Sequence, residues 1–234
     1  MLAVTFGLAG LVAALDLANA LLAATPLNQQ HVAINAPRSS VSLLDLFFQL
    51  TSVVQLLAWG ALGLYLLWRA GIGPVRIGLD RDRPGRDLLG GVGLAALIGL
   101  AGLPFYLGAR VLGANLDVAP STLTDAWWRI PVLLVAAVAN GWAEETVVVG
   151  YLLSRLRQLG WGENRSLLAS ALLRGSYHLY QGFGQAVGNL VMGLVFGRVW
   201  QRTNRLWALI TAHAILDIVS FVGYALLAPH LSWL

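Results

Sequence analysis

Apolar residues run along this chain in seven blocks, at about 2–24, 43–68, 88–109, 128–154, 166–181, 185–200 and 206–228, with polar turns between them. A helix needs about 20 apolar residues to cross a bilayer, and it satisfies its backbone polar groups internally. The pattern predicts an all-α fold, a polytopic membrane bundle of about seven transmembrane helices, forming one integral membrane domain over 1–234. The stretch TPLNQQHVAINAPRSS between the first two blocks is polar and turn-rich and reads as a loop. The first block lacks a basic leading segment and is long for a signal peptide, so it reads as the first span.

Composition agrees. Hydrophobic residues make up 58% of the chain and charged ones 11%, with mean hydropathy +0.71, whereas soluble domains carry about 25% charged residues. There is no cysteine, which excludes disulfides, thiolate catalysis and Cys-based metal sites. All fifteen basic residues are arginine, which reads as GC-rich coding bias. The net charge of +4 bears on orientation in the lipid bilayer; no nucleic acid partner is expected.

Arginine is distributed unevenly. With seven spans, eleven arginines fall in three loops on one side: Arg69, Arg76, Arg81, Arg83 and Arg86, then Arg155, Arg157 and Arg165, then Arg198, Arg202 and Arg205. Arg38, Arg110 and Arg129 fall on the other side, and Arg174 falls within a span. The positive-inside rule makes the eleven-arginine side cytoplasmic. The chain is then a multi-pass protein of the cell membrane with its N-terminus cytoplasmic and its C-terminus outside. Trp68, Trp127, Trp128, Trp161, Trp200 and Trp207 sit at predicted span ends, where interfacial anchors belong.

The second half of the chain carries what a membrane span should avoid: Glu144, Glu145, Arg174, His178, His213 and Asp217. A charge near the bilayer centre costs about 2.5–3.5 kcal/mol on insertion scales. At 1.5 Å per residue, Glu145 lies roughly 15 Å from the cytoplasmic end of its span, His178 roughly 18 Å, and His213 and Asp217 roughly 10 and 16 Å. Three helices, at about 128–154, 166–181 and 206–228, thus bring polar groups to one layer, placed somewhat on the cytoplasmic side of the midplane with a cavity open toward the cytoplasmic leaflet. Arg174 and His178 are four residues apart, as are His213 and Asp217, so each pair shares a helical face. Glu144 and Glu145 differ by 100° around a regular helix; one can face a cavity while the other supports it.

Such groups can activate water. A carboxylate can act as general base, and histidines can position the water or stabilise an oxyanion. Glu144, His178 and His213 could equally hold a divalent metal such as zinc. If all three carboxylates ionise, they exceed the single Arg174 by two charges, and a protonated His, a protonated Glu or a metal would each compensate. The other class of protein with such residues is a proton- or ion-coupled transporter, although no internal repeat of the usual transporter kind is visible.

The segments AEETVVVGYLLSRL, LLRGSYHLYQG and TAHAILDIVSF resemble the three motifs of the CPBP family, the type II CAAX prenyl endopeptidases and related Abi-type membrane proteins. The likeness extends over about 69–228. It implies an intramembrane endopeptidase, of glutamic or metallo type, acting on membrane-associated peptides or proteins. By position it implies Glu144 as the carboxylate that activates water, Glu145 beside it, His178 at the water or scissile carbonyl, and His213 with Asp217 completing the site. Two positions depart from the family pattern. Val149 stands where an Arg is expected, and Arg174 where a Phe is expected. The two departures are expected to be linked, with Arg174 supplying from the fifth span the cation missing from the fourth. If they instead disable the site, the chain is an inactive family member serving as a scaffold or immunity protein.

Overall fold

The computed structural model describes residues 1–119, 126–227 and 230. Nearly all of it is helical. α1 is Phe6–Leu22, α2 Ser42–Arg69, α3 Pro84–Val111 and α4 Arg129–Glu144. α4 runs on through a π-helical stretch, Glu145–Tyr151, into α5, Leu152–Gln158. α6 is Glu163–Ser176, α7 Phe183–Thr203 and α8 Leu206–Ile218, which continues through a second π stretch, Val219–Gly223, into α9, Tyr224–Leu227. Two short strands, β1 (His31–Ala33) and β2 (Asp117–Ala119), pair in parallel.

Five helical units are long and apolar enough to cross a membrane: Leu2–Leu22, Ser42–Arg69, Pro84–Val111, Arg129–Gln158 and Leu206–Leu227. These carry the first four and the last of the predicted segments, whose final residue, 228, lies outside the described residues. The remaining two segments form a helical hairpin, and a count of seven spans does not follow from them. α6 has 14 residues, a rise of about 21 Å at 1.5 Å per residue, short of the roughly 30 Å hydrocarbon core. The expected span at 166–181 ends early because Tyr177–Gln181 leaves the α-helix for a turn. α7 has the length, but Gln185, Asn189 and its polar last turn keep it out of the apolar set.

The bundle has two chemically different ends. At one, the ends of α2, α5, α6, α7 and α8 are tied by polar contacts. Gln158 Nε2 donates to Ala70 O at 3.1 Å, Gln201 Nε2 to Glu163 O at 2.9 Å, and Trp200 Nε1 to Ile77 O at 3.1 Å. Arg205 bridges Asp80 and Asp87, with Nε 2.9 Å from Asp87 Oδ1. This end gathers the three arginine-rich loops. At the other end, buried Arg129 pairs with Asp45 at 3.3 Å and donates to Asn35 O, and Arg110 pairs with Asp117 at 3.0 Å. The α6–α7 turn is tied there too, by the bridge between Gly182 and Asn115.

The packing core lies nearer the arginine end, around Leu153, Phe196, Trp200, Leu206 and Leu209. Trp128 and Trp200 are buried in the packing, unlike the expected interfacial anchors; each indole N–H finds an internal acceptor, Ser42 Oγ and Ile77 O. Trp68, Trp127 and Trp161 are exposed at helix ends, as anchors would be. Close helix approach depends on small residues, and two positions bear directly on the site. A Cβ on Gly141 of α4 would sit 3.1 Å from Ala214 N and Ile210 O of α8. One on Gly193 of α7 would sit 3.0 Å from Ala171 Cα of α6. The first contact holds Asn140 and Glu144 against His213 and Asp217; the second seats α6, and with it Arg174.

Candidate active site

Glu144 ends the α portion of its helix and Glu145 begins the π stretch. π segments recur at functional sites because they change the phase of side chains around the axis. Here both carboxylates reach one guanidinium. Arg174 NH2 lies 2.7 Å from Glu145 Oε1, and NH1 lies 3.7 Å from Glu144 Oε2. Arg174 is fully buried and packs over the ring of Phe196, its Cζ 5.8 Å from the centroid. It does not extend to a membrane interface. The cation that the fourth span lacks at Val149 is therefore present between the two carboxylates, carried by α6.

The two glutamates have different surroundings. Glu145 is fully buried, with Oε1 2.6 Å from His213 Nδ1. Glu144 borders a cavity of about 690 Å³. Its Oε2 accepts from the Tyr177 hydroxyl at 2.6 Å, and its Oε1 accepts from Asn140 Nδ2 at 3.2 Å. The same Asn140 amide donates to Asp217 Oδ2 at 2.9 Å. One neutral side chain thus bridges carboxylates from two helices. Asn140 and Tyr177 have no place in the reading of the sequence. The available signal was spacing: Asn140 is four residues before Glu144, on the same helical face.

His178 lies just beyond the end of α6, in the turn before Leu179–Gln181, rather than inside a helix. Its Nδ1 is 3.0 Å from Arg174 O. A carbonyl oxygen only accepts, so in a neutral ring Nδ1 carries the proton and Nε2 is the basic nitrogen. The same logic applies to His213: with Nδ1 donating to Glu145, its Nε2 is directed toward Asp217, 3.7 Å from Oδ2. His178, His213, Asp217, Asn140, Tyr177 and Glu144 all line the cavity. Glu145 and Arg174 lie behind it.

The donors do not fit a metal centre. Among the described residues no three His, Asp or Glu side chains converge as a ligand set. Both oxygens of Glu144 already accept from Tyr177 and Asn140, His213 Nδ1 is engaged by Glu145, and the Arg174 cation stands beside both glutamates.

The cavity also differs from expectation in direction. It extends from Glu144, His178 and Asp217 toward Asn35, Gln49 and Val118 at the end that carries β1 and β2, away from the arginine-rich end. Depth counted along a helix carries no information about the side on which neighbouring helices splay apart.

Five helical units are long and apolar enough to cross a membrane, and acids and imidazoles gather on an internal cavity between them. Residues 126–219, which hold every residue of the site, match the family described as type II CAAX prenyl endopeptidase Rce1-like. No curated protein and no solved structure matches it.

Proposed function

We propose that the protein is an endopeptidase that hydrolyses peptide bonds of membrane-associated peptides or proteins with water activated by Glu144. The observation that carries this reading is the setting of Glu144: a carboxylate on the cavity wall, held by a tyrosine hydroxyl at 2.6 Å and an amide at 3.2 Å, with two histidines on the same wall. The Glu144 carboxylate takes a proton from water as its oxygen attacks the scissile carbonyl. The carbonyl carbon becomes tetrahedral, and the negative oxygen is met by the Nε2–H of His178 or His213 in its protonated form, since the Nδ1–H of each ring is engaged by Arg174 O or Glu145. Glu144 then returns the proton to the leaving nitrogen as the C–N bond breaks, so one water is consumed and two termini appear. Asp217 orients His213 from its far nitrogen, as carboxylates do for imidazoles. Arg174 and Glu145 sit behind and hold the charge balance.

The transporter alternative needs a route that reaches both faces. The cavity lining takes in Asn35, Gln49 and Val118 but none of residues 145–176 or 193–212, which favours the hydrolytic reading. The test is purified protein in liposomes with a lipid-tethered peptide in ¹⁸O-labelled water. Cleavage with one labelled oxygen in the new carboxyl terminus supports the proposal. Absence of cleavage, or label-free products, rejects it.

A further inference from the structure

We propose that the catalytic cavity opens on the non-cytoplasmic side of the membrane, and that its substrates are peptide segments that leave the bilayer on that side. The substrate half rests on the hydrolase reading above; the sidedness does not.

The first observation is which parts of the chain build the cavity wall. Along the chain the lining passes from Leu56 directly to Ile98, from Glu144 to Tyr177, and from Met192 to His213. Three of the stretches absent from the lining, 57–97, 145–176 and 193–212, are those that lead to and from the arginine-rich end. The site is therefore the floor of the cavity, and the arginine end is closed beneath it by Leu153, Phe196, Trp200 and Leu206. Asn35, Gln49, Ser52 and Asn140 put polar side chains on the wall, where water and a peptide backbone can find partners.

The second observation is charge. Eleven arginines stand in the loops and helix ends of the closed face, against Asp80, Asp82, Asp87 and Glu163. Those loops are physically joined at one end through Arg205–Asp87, Arg157–Glu163, Gln158–Ala70 and Asn204–Arg76. Only Arg38, Arg110 and Arg129 belong to the open face, and the last two are paired with Asp117 and Asp45. Short arginine-rich loops stay in the cytoplasm. The assignment does not depend on the span count, because the α6–α7 hairpin starts at Glu163 and returns at Thr203 on the same face. A cavity closed at the arginine face opens on the other.

The chain has no cysteine, so single cysteines give clean reporters. Ser40→Cys marks the open-face loop, Ser52→Cys the cavity wall and Arg202→Cys the arginine face. Each is expressed in a bacterial membrane and treated with a membrane-impermeant maleimide in right-side-out and in inside-out vesicles. The expected result is labelling of Ser40→Cys and Ser52→Cys in right-side-out vesicles, with loss of that label in inside-out ones, and the reverse for Arg202→Cys. Labelling of Ser40→Cys or Ser52→Cys from the cytoplasmic side alone overturns the proposal, as does a Ser52→Cys thiol closed to both sides. In the same right-side-out vesicles of the unaltered protein, a lipid-tethered peptide added outside should be cleaved. Outer labelling without cleavage rejects the hydrolase reading and leaves the sidedness standing. Cleavage restricted to inside-out vesicles overturns the proposal.

Discussion

The guanidinium of Arg174 stands 2.7 Å from Glu145 and 3.7 Å from Glu144, fully buried between two neighbouring carboxylates. Removing one partner of a buried ion pair costs about 3–5 kcal/mol, because the other charge is left uncompensated. Arg174→Met is expected to lower thermal stability in detergent by an amount of that order. Adding Glu145→Gln should recover part of the loss, since the unpaired charge is then gone. A double-mutant cycle on melting temperature checks this; strictly additive losses would contradict the pairing.

Asn140 donates to Glu144 and Asp217 at once. Hydrogen bonds to charged groups contribute about 1.5–3 kcal/mol. Asn140→Ala should therefore reduce kcat about 10- to 100-fold with little change in KM, because the amide orients the carboxylates and does not hold substrate. A rise in KM at unchanged kcat would show that Asn140 contacts the peptide instead.

With the donors around Glu144 and His213 already engaged within the protein, hydrolysis is expected to proceed unchanged after exhaustive chelation. Loss of activity on chelation, restored by zinc, would show that the side chains rearrange around a metal.

Outside the membrane, Asp80 and Asp87 clamp Arg205 and join the loop before α3 to the start of α8. The hydrogen bond from Arg205 holds the Asp80 carboxyl below its usual 3.8. A depressed carboxyl stabilises the fold above its unfolded value, and the contribution disappears as pH falls through the folded one. The melting-temperature gap between the native protein and Asp80→Asn should thus be constant from neutral pH down to about 5 and close below 3.8. A gap that closes near neutral pH would point to another group.

Part of this site was legible in the sequence because the i,i+4 spacing of His213–Asp217 within α8 survives any packing of the helices, whereas His178 falls in the turn beyond α6. What the sequence did not carry was set by contacts between elements. Asn140 matters only because Gly141 lets α4 touch α8. The convergence of Glu144 and Glu145 on one cation depends on a π stretch that a 3.6-residue period does not anticipate. The end of α6 at Ser176 replaced an expected span by half of a hairpin. The direction of the cavity follows from where helices diverge, which apolar periodicity does not encode.

The most direct test of the account is Glu144→Gln. The amide keeps the shape of the carboxylate and one of its two acceptor oxygens but cannot take a proton from water. General-base catalysis contributes about 10²–10⁴-fold, so kcat on a lipid-tethered peptide should fall by that factor while the melting temperature and KM hold. A Glu144→Gln protein that cleaves at the native rate would contradict the account.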